Sequence, residues 1–102
     1  MILLEFSMTP LDKGESVSSY VARSIDIVDK SGLPYKLGPM GTCIEGKWDE
    51  VFSVIKKCFD EMSKDCNRIS IYIKADYRKG KTGRIVSKIK SVEEKLGREV
   101  KK

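Results

Sequence analysis

The sequence predicts an α+β sandwich, a four-stranded antiparallel sheet with two helices on one face and a further helix at the C-terminus. Three observations lead there. Apolar periodicity switches between about two and about 3.6 residues in the order strand, helix, strand, strand, helix, strand, helix. The segment Arg68–Tyr77 (RISIYIKADY) alternates apolar and polar residues without a break. Gly32 followed by Pro34 ends the first helix sharply, because glycine takes the left-handed closing conformation and proline blocks continuation.

Taken in order, Met1–Met8 (MILLEFSM) reads as the first strand, ending at Thr9-Pro10 because proline cannot donate to a sheet ladder. Thr9–Glu15 is a polar loop. Ser16 is a suitable N-cap for a helix with Val17, Tyr20, Val21, Ile25 and Val28 at helical spacing. Tyr35–Leu37 is a short second strand, interrupted by Gly38-Pro39-Met40-Gly41, and Thr42–Glu45 is the third. Residues 47–65 form a second amphipathic helix whose stripe is Trp48, Val51, Phe52, Ile55, Phe59 and Met62. Arg68–Tyr77 is the fourth strand. Gly80–Gly83 is a basic loop in which Thr82 can cap a last helix carrying Ile85, Ile89, Val92 and Leu96. The first six elements are the split βαβ arrangement of the ferredoxin-like fold.

Bulk properties bound the function. The 102 residues suffice for a single domain spanning 1–102 and leave no room for a second core. No apolar run approaches the roughly 20 residues that span a bilayer, and Met1–Met8 carries Glu5 and no basic leader, so a cytoplasmic protein is expected. Cys43, Cys58 and Cys66 are odd in number and lack CxxC spacing, and there is no histidine. These features argue against a metal site or a disulfide, and no cofactor is implied. Without histidine most acid–base and nucleophilic schemes lose their usual participant, so binding without catalysis is expected. The net charge of +5 is uneven: Arg78–Lys102 holds ten basic residues against three acidic ones. Such a tail is either a solvated helix face or an attractor of anions.

Strand alternation assigns the two sheet faces. Ile2, Leu4, Phe6 and Met8 suit the helix-covered side, as do Ile44 and Ile69, Ile71, Ile73 and Ala75. The other face gathers Glu5, Ser7, Cys43, Glu45, Tyr72 and Lys74, with Leu3 among them. That face is either solvated, with ion pairs worth little, or a self-association surface with polar clefts between subunits. Alternation alone does not decide between the two.

Two motifs fail on inspection. Gly80-Lys81-Thr82 resembles the end of a phosphate-binding loop, but the required earlier glycine falls at Ala75 and the segment does not open a βαβ unit. RNA-recognition domains share this element order but stack bases on aromatics of the two central strands. Here Thr42-Cys43-Ile44-Glu45 has no aromatic, Phe6 faces the core, and acids line the open side, so nucleic acid is not an expected partner.

Three segments, Ser18-Ser19-Tyr20-Val21-Ala22, Gly38-Pro39-Met40-Gly41-Thr42 followed by Glu45, and Lys88-Ile89-Lys90-Ser91-Val92-Glu93, together resemble the small thiamine-binding protein family. The most specific is Met-Gly-Thr-x-x-Glu between two strands. The resemblance implies a ferredoxin-like subunit, dimers joined into a homotetramer through their sheets, and a ligand site at subunit boundaries. It also implies thiamine or its hydroxymethylpyrimidine moiety as ligand. Ala75-Asp76-Tyr77-Arg78 departs from the Asp-Asp-Arg-like end of the last strand that the resemblance leads one to expect, which leaves ligand identity open.

The residues offer matching chemistry. An aminopyrimidine presents an amine donor and ring-nitrogen acceptors. Glu45 or Glu5 can accept from the amine, and the Thr42 and Ser7 hydroxyls can donate and accept. A thiazolium cation suits the face of Tyr72 or Tyr35, and Met40 can form a soft wall. Thr42 can equally cap the turn and Met40 fill core. The alternative is a structural or partner-binding homotetramer with only an anion site, phosphate or sulfate, at Arg78, Lys79, Lys81 and Arg84 near the start of the last helix.

Overall fold

A computed structural model describes residues 1–102. The elements are β1 (Ile2–Pro10), α1 (Ser18–Lys30), β2 (Tyr35–Leu37), β3 (Thr42–Gly46), α2 (Trp48–Met62), β4 (Ile69–Tyr77) and α3 (Arg84–Leu96). One sheet carries all four strands in the order β2-β3-β1-β4, each neighbouring pair antiparallel. This is the ferredoxin-like arrangement, with the first and third strands at its centre.

β1 continues two residues past the expected stop, and Pro10 lies opposite Ile69. The ladder explains why this is permitted. The Leu11 N–H donates to the Arg68 carbonyl at 2.8 Å, in the register that pairs β1 with β4. Odd-numbered β1 residues therefore turn their N–H and C=O toward β4, and even-numbered ones toward β3. The β1–β3 ladder closes at Phe6↔Thr42. Proline 10, an even position, has its missing N–H on the side that β3 does not reach.

The core is Ile2, Leu4, Phe6 and Met8 of β1 and Ile44 of β3, packed against Val28 of α1 and Val51, Val54, Ile55, Cys58 and Met62 of α2, with Cys66 beside them. The α2 stripe is rotated from the expected one. Val54 and Cys58 are buried, whereas Trp48 and Phe59 are exposed. The helix faces α1 as well as the sheet, and the Cys58 thiol donates to the Ser24 carbonyl at 3.6 Å across that contact. Trp48 instead stacks on Phe52 at the surface, ring centroids 4.5 Å apart.

The helices cover β1, β2 and β3 and leave β4 outside their footprint. Ile71, Ile73 and Ala75 share the helix-facing side, as alternation requires, yet Ile71 is 43 % and Ile73 39 % exposed. Their expected burial by helices is corrected: β4 is an outer strand, and the two helices are too narrow to roof it.

Capping also differs. Val17 rather than Ser16 precedes α1, with no side-chain hydrogen bond. Gly32 takes the left-handed conformation after that helix (φ 76°), as the stop signal requires. α3 begins after Gly83 at φ 66°, and Thr82 does not cap it. A residue from the sheet does so instead.

Candidate ligand-binding site

That residue is Glu45. It stands on the open face of β3, opposite Leu3, and both carboxylate oxygens accept the Arg84 N–H at 3.2 Å. The carboxylate thus sits at the positive end of α3, where the helix dipole favours it. Arg84 is itself buried, and its guanidinium donates to the Asp76 carbonyl oxygen at 3.0 Å and ion-pairs with the Asp76 carboxylate. Lys88 joins the same carboxylate at 2.9 Å. The Lys88 and Arg84 hydrogen bonds hold the Asp76 carboxyl below its ordinary value. A buried carboxylate on this face does have a partner, but the partner is the chain's own last helix. For the same reason the start of α3 already holds an anion. Of the four basic residues considered for phosphate, Arg84 is engaged internally, and Arg78, Lys79 and Lys81 lie exposed on the preceding loop.

The other residues named from the sequence separate into three places. Ser7, Met40 and Thr42 line one cavity of about 300 Å³. Tyr35 and Glu45 line a second, of about 290 Å³, between β3 and the start of α3. The Tyr35 hydroxyl donates to Asp29 at 2.8 Å, which raises its pKa. Glu5 and Tyr72 lie on the open sheet face, Glu5 accepting from the Cys43 thiol at 3.8 Å and Tyr72 opposite Ser7. Burial and the Glu5 carboxylate raise the Cys43 pKa. Cys58 is pushed up to about 11, chiefly by burial, and is chemically quiet.

The first cavity is the better-built one. Its walls are the end of β1, the inner side of α1 and the Gly38–Gly41 turn. The turn is held tight by the Gly38 N–H donating to the Gly41 carbonyl at 2.8 Å. A side chain at position 38 would bring Cβ within 2.9 Å of that oxygen, which is why glycine is required there. The turn lifts Met40 clear of the protein, 89 % exposed, over the mouth of the cavity. Thr42 shares the face of Phe6 and is buried.

Two further participants lie outside the sequence reading. Ser24 on α1 lines the cavity, and its hydroxyl oxygen is buried with no hydrogen-bond partner. Its signal was available: Val17, Val21, Ser24 and Val28 follow helical spacing, which puts a serine on the inner stripe. The other is Met8, at the end of β1. None of the 14 lining residues is acidic, basic or a cysteine.

Residues 4–93 match the sequence profile of the family described as "Thiamine-binding protein". The chain belongs to the thiamine-binding protein family. Within it, the chain is 39 % identical over 96 residues to the UPF0045 protein MT1949 of Mycobacterium tuberculosis, covering 93 % of this chain and 94 % of that one. It is 36 % identical over 93 residues to the UPF0045 protein MJ1052 of Methanocaldococcus jannaschii, covering 91 % and 93 %. The crystal structure of MJ1052 superposes with a TM-score of 0.84 at 35 % identity, over 91 % of this chain and 96 % of that one. A Thermotoga maritima protein provisionally assigned to thiamine biosynthesis or salvage shares the fold, with a TM-score of 0.74 at 22 % identity, over 85 % of this chain and 96 % of that one. No helix of this family member is long and apolar enough to cross a membrane.

Proposed function

We propose that this thiamine-binding family member binds thiamine or its hydroxymethylpyrimidine moiety, without turning it over, as a homo-oligomer. The observation that carries the reading is the cavity between α1 and the Gly38–Gly41 turn, built around the Met40-Gly41-Thr42 segment. It offers apolar walls, the β1 backbone at Ser7, the Thr42 and Ser24 hydroxyls, and an unsatisfied buried oxygen that a ligand can pair. Its lack of acid, base or thiol supports binding over catalysis, since proton transfer and nucleophilic attack need such groups. Family membership supports the choice of ligand.

The oligomer is supported by β4. It is a nine-residue outer strand with a free edge and an uncovered apolar ridge at Ile71 and Ile73. Edges of this kind are normally paired or blunted. A second copy of β4 would extend the sheet and cover the ridge, giving a dimer that can go on to the homotetramer.

Two measurements test the reading. Hydroxymethylpyrimidine or thiamine should raise the melting temperature, because a ligand that binds only the folded state stabilises it. Thr42→Val, which keeps the shape but loses the hydroxyl, should reduce that rise; no rise with either compound removes the ligand reading. Light scattering should give a multiple of the 11.5 kDa protomer, and Ile73→Lys should lower it. A wild-type protein that runs as a lone protomer removes the oligomer reading.

A further inference from the structure

Resting on the ligand reading above, we infer that the backbone of Met8 is the hydrogen-bonding edge that recognises the aminopyrimidine. Even-numbered β1 residues present N–H and C=O to the β3 side, and the ladder there ends at Phe6↔Thr42. The β3 parity agrees: the Glu45 N–H donates to the Pro34 carbonyl at 3.0 Å and the Gly38 N–H to the Gly41 carbonyl, so odd β3 residues serve β2 and even ones serve β1. The next partner for Met8 would be residue 40, and the turn has carried Met40 out to solvent. Met8 therefore offers one donor and one acceptor, side by side, with no strand to receive them.

The same residue lines the cavity, together with Ser7 and Thr9. The opening is thus a missing rung of the sheet. A group that replaces the rung must present an acceptor beside a donor in one plane. An aminopyrimidine does so: its ring nitrogen accepts from the Met8 N–H, and the adjacent exocyclic amine donates to the Met8 carbonyl. Backbone groups in a sheet are held in place before the ligand arrives, so little ordering is lost on binding. The side chains around them supply the walls, with the Ser24 hydroxyl as a further partner. Pro10 adds an independent mark: proline is tolerated two residues on because that side of β1 carries no ladder.

The experiment is amide hydrogen exchange and chemical-shift titration by NMR on the intact protein, with hydroxymethylpyrimidine as probe. Without ligand, the Met8 amide should exchange at least about tenfold faster than those of Ser7 and Thr9, whose N–H groups are bonded to β4. With ligand it should become protected, and its resonance should move more than those of its neighbours. An analogue without the exocyclic amine should bind about tenfold more weakly, because the Met8 carbonyl loses its donor. A Met8 amide as slow as Thr9 in the free protein overturns the inference. So does a ligand that shifts α1 and the Gly38–Gly41 turn but leaves Met8 unmoved, or an analogue that binds equally well; in those cases the ligand reading stands. If no resonance responds to the probe, both fall.

Discussion

Removing Glu45 separates the two jobs that its position suggests. Its carboxylate accepts the Arg84 N–H from both oxygens at 3.2 Å, long for a charged hydrogen bond, so the contact belongs at the low end of such bonds, about 1.5 kcal/mol. Its charge at the α3 N-terminus contributes about 0.5 kcal/mol more. Glu45→Ala should therefore loosen α3 by about 2 kcal/mol, a roughly 30-fold rise in the open population. α3 packs chiefly on β3, so the opening is local rather than global. Limited trypsin digestion reads it directly: Arg84 is buried, and the bond after it becomes cleavable only when the helix lifts. Cleavage there should accelerate by about 30-fold, while Glu45→Gln, which keeps an acceptor but not the charge, should fall between. Melting-temperature shifts with hydroxymethylpyrimidine should be unchanged, because Glu45 does not line the cavity at Met8. Unchanged cleavage would refute the capping role. Loss of the ligand response would move the site to the second cavity, where Glu45 and Tyr35 meet.

Three other outcomes follow from the same geometry. Ser24→Ala should leave the free protein as stable or up to about 1 kcal/mol more stable, since it removes a buried oxygen without a partner, yet should diminish the ligand-induced rise in melting temperature. Phosphorylated hydroxymethylpyrimidine should bind at least about tenfold more weakly than the free alcohol in calorimetry, because no cation lines the cavity to offset phosphate desolvation; equal affinity would place a basic residue nearer than the structure has it. Asp76 gives a pH dependence: hydrogen bonds from Lys88 and Arg84 hold its carboxyl below the ordinary aspartate value. Its stabilising effect is therefore present above that value and lost as pH falls through the lower folded-state value. The α3 amides should lose hydrogen-exchange protection, read by NMR, on acidification in that range, and the dependence should weaken in Asp76→Asn.

Much of the fold was legible because local patterns carry it. Gly32 and Pro34 end α1 through backbone constraints that any context obeys, and the alternation of Ile2, Leu4, Phe6 and Met8 fixes which side of β1 is buried. The site was only partly legible. Ser7, Met40 and Thr42 do meet in one cavity, because the turn that the glycines permit brings the third strand's start beside the first strand's end. Glu5 and Tyr72 do not join them, since their side chains stand on the other face of the sheet; Tyr35 shares the helix-facing side with Ile44 but is held by Asp29, and α3 claims Glu45.

The sequence by itself determined the elements, their order, the glycine turn and the inward side of each strand, all consequences of chain stereochemistry within a few residues. Only the tertiary structure decided how far each strand outlasts its neighbour, where α3 lands and which strand the helices fail to roof. Those depend on register and on contacts between residues distant in the chain: Met8 has an open edge because β3 begins only at Thr42, and Ile73 is bare because two helices span three strands. No window of sequence contains both halves of either fact.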